Sequence, residues 1–117
     1  MTVAGREQEP EPLDYLRTKS FAFDLPLEAE LNGRIVSRTN ARHVYWNVAQ
    51  QIAHLTSNGA GLRAGDLLAT GTISGPSEGE RGSLIELTSN EGPFLADGDE
   101  VVLRGPPLGE VRGRIVG

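Results

Sequence analysis

Glycine and proline punctuate this chain from end to end, 15 of the first and 7 of the second in 117 residues, where an ordinary protein carries about 12% of the two together. Glycine weakens the interior of a helix or strand by about 0.5–1 kcal/mol, and proline removes a hydrogen-bond donor from either. Elements between such breaks are short and joined by many turns, which disfavours a helix bundle and predicts a strand-rich fold. A core remains available, because leucine, isoleucine, valine and phenylalanine supply 30 residues and a chain of this length buries roughly two thirds of its unfolded surface.

Several function classes fall away on composition. The chain has no cysteine, which removes a disulfide framework, a zinc ribbon and a cysteine nucleophile. Its formal net charge is −5, with ten arginines and one lysine standing singly along the chain, whereas nucleic acid requires a concentrated basic footprint. No apolar run approaches the ~18 residues of a membrane span, and the start is acidic where a signal peptide is basic and then apolar. The sequence predicts a cytoplasmic protein with no nucleic-acid or membrane partner.

Residues 1–14, with Glu7, Glu9, Glu11 and Asp14 against Arg6, predict an acidic extended lead-in. Residues 15–117 then form one structured unit. Phe23, Leu25, Leu27, Ala29 and Leu31 alternate with Asp24, Pro26, Glu28 and Glu30, a period of two that predicts a half-buried strand, with Pro26 making it an edge or a bulged one. Asn32-Gly33 supplies a type I′ turn, and Arg34 to Ser37 returns as the second arm of a hairpin. Thr39 or Asn40 caps a predicted amphipathic helix from Ala41 to about Ser57, closed by Asn58-Gly59. Ala41, Val44, Tyr45, Val48, Ala49, Ile52 and Leu55 share its apolar arc, opposite His43, Asn47, Gln50, Gln51 and His54. Further strands are expected over Asp66 to Thr72, Gly82 to Thr88, Glu100 to Arg104 and Glu110 to Val116. One helix lying across one face of about six strands is a β-rich mixed α+β fold.

Among chemistry-bearing residues, His43 and His54 stand about 16 Å apart along such a helix, too far for one metal, and their polar arc favours exposed surface histidines over a site. Asp97-Gly98-Asp99-Glu100 lacks the alternate ligand spacing of a calcium loop and reads as a solvated turn. Gly65 to Pro76 carries Thr70, Gly71, Thr72, Ser74 and Gly75 at a strand end, where hydroxyls and backbone donors can meet an anionic oxygen or simply form a glycine-rich turn. It has neither the lysine of a phosphate loop nor the pattern of a nucleophile elbow. Glu86 has two readings. Strand alternation turns it to solvent, while a carboxylate beside a general base would hold a histidine in one tautomer.

The run from Tyr45 to Pro76 (YWNVAQQIAHLTSNGAGLRAGDLLATGTISGP), RGSLIEL from Arg81 to Leu87, and FLADGDEVVLRG from Phe94 to Gly105 closely resemble the C-terminal end of the fumarylacetoacetase family. PLDYL from Pro12 and the Asn32-Gly33 hairpin fall where that family also has them. The strand end reads Gly71-Thr72-Ile73-Ser74-Gly75 rather than the GTPxG of acylpyruvate hydrolases, which favours the narrower group. The resemblance implies a partial β-roll from a homodimeric, Mg²⁺- or Ca²⁺-dependent hydrolase that splits a carbon-carbon bond in a 1,3-diketo acid. The products are fumarate and acetoacetate, in tyrosine and phenylalanine breakdown. By motif, Thr72 matches the substrate-contacting threonine, and Glu86 matches the glutamate that orients the catalytic histidine. No segment resembles the family's catalytic histidine, metal-binding carboxylates or site lysine, so the chain reads as roughly the last third of the enzyme and is expected to be inactive alone. A missing upstream half would complete it. The alternative is a non-catalytic remnant or a binding and dimerisation module with the same partial fold.

Overall fold

A computed structural model describes residues 2–19 and 21–117; Met1, the first residue of the acidic lead-in, lies outside them. The lead-in has structure of its own. Strand β1 (Thr2–Ala4) pairs antiparallel with β2 (Phe21–Phe23), Thr2 opposite Phe23 and Ala4 opposite Phe21. Between them Asp14–Leu16 makes a 3₁₀ turn that buries Leu16.

The main sheet has four antiparallel strands, β3 (Pro26–Leu31), β4 (Arg34–Asn40), β5 (Glu100–Gly105) and β6 (Gly109–Arg114), in the order β4-β3-β5-β6. Asn32 and Gly33 take φ of 51° and 78°, the positive pair that a two-residue I′ hairpin demands. Asn32 also fastens the hairpin to β5: its amide nitrogens donate to Asp99 Oδ1 and the Glu100 carbonyl, and its Oδ1 accepts from Glu100 N, each at 2.8 Å. The alternating strand is bulged between Ala29 and Glu30, as Pro26 suggested, but it is not an edge. Pro26 stands ahead of Glu28, where pairing with β5 begins, so its missing N–H costs no ladder bond there.

Register sorts the side chains onto two unlike faces. Glu28, Glu30, Glu100, Val102, Arg104, Glu110, Arg112 and Arg114 share one. There Arg38 pairs with Glu28 at 3.0 Å, Arg104 with Glu30 at 2.6 Å and Glu110 at 3.0 Å, and Arg112 with Glu100 at 2.7 Å. Val102, fully buried, lies among the aliphatic stems of these charges. Leu27, Ala29, Leu31, Val101 and Leu103 form the other face, which Leu84, Leu87 and Leu95 approach. That cover is partial, since Leu103 is 52% and Val111 72% exposed.

The expected long helix is shorter. Asn40 accepts from Arg42 N and holds Ala41–His43 in a 3₁₀ turn, and α1 runs only over Val48–Thr56. Asn47 starts it: its side chain accepts from Gln50 N while Gln50 Oε1 accepts from Asn47 N, both at 3.0 Å, a reciprocal capping box. Gly59 at φ 86° follows its end, as the Asn58-Gly59 stop predicts. The expected polar arc is not a solvent face, because Gln50 is 1% exposed and Asn47 8%, whereas Leu55 is 44% exposed. Gln50 exchanges hydrogen bonds with Gln8 at 2.9 and 2.7 Å and donates to the Leu16 carbonyl. The principal neighbour of α1 is accordingly the Asp14–Leu16 turn and not the sheet face predicted for it. Replacing Gln50 by leucine keeps the volume but strands the Leu16 carbonyl and the Asn47 N–H, so a loss of about 1–3 kcal/mol is expected in urea unfolding. A change under about 0.5 kcal/mol would show that this amide network is dispensable.

Two expected strands are absent. Gly82 to Thr88 contains a short helix, α2 (Leu84–Leu87), and Asp66 to Thr72 has no ladder partner among the described residues. Leu84 and Leu87, three residues apart, share one side of this turn toward the sheet, and the Ser83 hydroxyl caps it. The result is a small mixed sheet-and-helix domain with two antiparallel sheets. Its radius of gyration is 16.5 Å, above the about 13 Å of a self-contained domain of this length. No helix among the described residues is long and apolar enough to cross a membrane.

Candidate active site

Three chain segments meet beside the sheet: the irregular run through Thr72 and Ser74, the 3₁₀ turn Glu78–Glu80, and α2. Gly82 sits where they converge. A Cβ there would lie 2.4 Å from the Ile73 carbonyl oxygen and 2.7 Å from Thr72 Cγ2, so only hydrogen allows this approach. The Gly82 N–H donates to Ser74 Oγ at 3.0 Å, leaving the serine proton for Glu86. Ser74 Oγ stands 2.9 and 2.8 Å from the two Glu86 oxygens, and the Ser83 hydroxyl donates to Glu86 Oε2 at 2.9 Å.

Glu86 is therefore exposed, as a solvent-facing carboxylate would be, yet fixed by two hydroxyls. The Ser74 hydroxyl foremost, then that of Ser83, holds its carboxyl below the ordinary value of 4.5, with Arg81 adding a smaller push. An ionised carboxylate has about four lone-pair positions, and with two serine protons and the Gly82 N–H drawing on them there is still room for a further donor. Thr72, also exposed, contacts the same Gly82 hub through its methyl group. The two residues expected from the sequence are thus gathered around one glycine, on a loop and a helical turn instead of two strands.

The other expected candidates separate. His43 ends the 3₁₀ turn after β4, off α1, and its Nε2 lies 3.2 Å from Glu80 Oε1 with only 14% of its side chain exposed. His54 stays on α1, where Nδ1 meets the Tyr15 hydroxyl at 3.0 Å. It borders a groove of about 560 Å³ walled by Pro12, Leu13, Tyr15, Tyr45 and Trp46, which does not include Thr72 or Glu86. The Asp97 to Glu100 stretch is a turn: Gly98 has φ 91°, Asp99 accepts from Ala96 N at 2.8 Å, and Glu100 is paired with Arg112 and Arg114. Ser74 was singled out only as one hydroxyl of the Gly65 to Pro76 stretch, and Ser83 and Glu80 were missed as site residues. The S-x-x-E spacing of Ser83 to Glu86 and of Ser77 to Glu80 is a helix-start signature that would have found both.

These features define a small mixed sheet-and-helix domain that presents one fixed, ionised carboxylate beside a threonine. Residues 4–116 match the family model described as fumarylacetoacetate (FAA) hydrolase C-terminal. Similar proteins include the fumarylacetoacetase of Oryza sativa subsp. japonica, 42% identical over 93% of this chain and 29% of that protein. That of Caenorhabditis elegans is 42% identical over 97% and 33%, and that of Homo sapiens 38% over 88% and 29%. This chain belongs to the fumarylacetoacetate hydrolase family, and it spans about a third of the length of the curated relatives it matches.

Proposed function

We propose that this chain is the C-terminal part of a fumarylacetoacetase-type hydrolase, acting on the carbon-carbon bond of a 1,3-diketo acid with Glu86 and Thr72 as its contribution to the site. The observation that carries the reading is the Glu86 carboxylate, held by Ser74 and Ser83 with acceptor positions to spare. Such a group accepts the N–H of an imidazole, fixes the tautomer that leaves the other nitrogen free to take a proton from water, and stabilises the imidazolium that results. Thr72 offers a hydroxyl to a substrate oxygen. The histidine and the remaining groups come from polypeptide this chain does not carry, since His43 is engaged by Glu80 and His54 by Tyr15.

The family's divalent cation, Mg²⁺ or Ca²⁺, has no fitting site here: the described residues hold no group of three or more His, Asp or Glu side chains placed for a metal. No step on this chain runs through it. Apolar surface left open at Leu103 and Val111 on the sheet and at Leu108 in the β5–β6 turn, and the extended shape, support a β-roll completed by an upstream half and a homodimeric assembly. The test is a chimera in which this chain replaces the matching part of the rice relative, assayed for fumarylacetoacetate loss. The chimera is expected to turn over and the 117-residue chain alone to show no activity with either cation; turnover by the chain alone would overturn the reading. In the chimera Thr72→Val should raise KM about tenfold with a smaller change in kcat, and unchanged KM and kcat would remove Thr72 from the substrate contacts.

A further inference from the structure

We infer that His43 is a positioning residue: with Glu80 it forms a clasp that sets the Ser74 hydroxyl against Glu86. This rests on the reading of Glu86 as the orienting carboxylate, and it joins two residues from distant parts of the chain.

Glu80 divides its acceptors. Its Oε1 faces His43 Nε2 at 3.2 Å, its Oε2 accepts the Ser77 N–H at 3.0 Å, and its backbone carbonyl accepts the Gly75 N–H at 2.9 Å. Gly75 lies against the same side chain, since a Cβ there would stand 2.6 Å from Glu80 Cδ. Moving Glu80 therefore moves Gly75, and Ser74 is the next residue along. Ser74 in turn receives the Gly82 N–H and donates to Glu86. The histidine end is anchored: Asn40, the last residue of β4, accepts from both Leu25 N and Arg42 N and fixes the turn that carries His43.

Because the pair is half-shielded, with 14% and 25% of the two side chains exposed, solvent screens it less than an open surface pair. The charged groups facing His43 are Glu80 from the 3₁₀ turn, Arg42 on its own turn, and Arg6, Glu7 and Glu9 of the lead-in, which line the same hollow. The carboxylate is ready to pair, being held below its ordinary value foremost by the Ser77 N–H. Protonation of His43 sets a positive charge against the Glu80 carboxylate, converting the hydrogen bond into an ion pair, and tightens the clasp; loss of that proton slackens it.

Two measurements test this. On the 117-residue chain, nuclear magnetic resonance titration over the range where histidines generally change charge, about pH 5 to 8, should show the Gly75, Ser77 and Gly82 amides moving with the His43 ring. That coupling should vanish in Glu80→Gln, which keeps an acceptor for the Ser77 N–H, while the Tyr15–His54 pair is unchanged. Amides that ignore the His43 ring, or follow it equally in Glu80→Gln, overturn the clasp. In the chimera, His43→Gln should lower kcat about three- to tenfold at the acid end of that range with KM unchanged, and the deficit should close toward the alkaline end. A deficit equal at every pH marks a merely structural role and overturns the proposal. An inactive chimera would sink the functional reading alone, since the amide titration needs no turnover.

Discussion

In the rice chimera, Glu86→Gln is expected to lower kcat by about two to four orders of magnitude, the range that general acid-base catalysis supplies. Glutamine keeps the length and can still accept from Ser74 and Ser83, so binding and fold should survive. What it loses is the charge that stabilises an imidazolium, and it gains a donor that can impose the wrong tautomer. Steady-state kinetics with the folded variant decide the matter, and an unchanged kcat would return Glu86 to a plain surface carboxylate. The same bonds have a pH signature. With its folded carboxyl below the ordinary value of 4.5, the contribution of Glu86 to stability is complete above that value and disappears as pH falls through the lower, folded one. Glu86→Gln should therefore lower stability at neutral pH by that contribution and flatten the acid side of the profile, the two proteins converging as pH falls.

Gly82→Ala is expected to cost the chimera about a hundredfold in kcat/KM, because the methyl meets the Ile73 carbonyl at 2.4 Å and backbone must yield, and a displacement near 1 Å at a catalytic group has about that effect. The displaced parts are the ones that matter: Thr72 on one side, Ser74 and Glu86 on the other. Gly79→Ala is the control, in the neighbouring turn with nothing within 4 Å of its added carbon, and it should change stability by less than about 0.5 kcal/mol. Equal effects at the two glycines would show that the Gly82 contact has no special consequence. Thermal unfolding of both variants separates a moved site from a lost fold.

What the sequence disclosed was local. The Asn32-Gly33 hairpin, β5 and the Gly59 stop were legible because their determinants lie within a few residues of one another. The helix was misjudged at its start because Asn40 and Asn47 are both competent caps, and only the folded chain shows which of them begins α1. Its polar arc was misread for a different reason: Gln50 is buried by Leu16 and Gln8, 34 and 42 residues away. Gly82 to Thr88 satisfied a two-residue period, yet Leu84 and Leu87 satisfy helical spacing equally, and four residues cannot distinguish the two. At the site, family resemblance singled out Thr72 and Glu86. The serines that hold Glu86, and the partner of His43, depended on loops whose course no periodicity encodes.

The charged face of the four-stranded sheet also determines what this chain cannot become. A strand slipped by two residues keeps every side chain on its proper face, so burial alone would not detect the error. Charge does detect it. Sliding β3 along β5 one way brings Glu30 opposite Glu100, and sliding β6 along β5 one way brings Arg104 opposite Arg112, replacing attraction with like-charge contact. With Val102 the only fully buried apolar side chain of that sheet among the described residues, its alignment is proofread by electrostatics more than by packing, and concentrated salt removes the proofreader before it removes the strands.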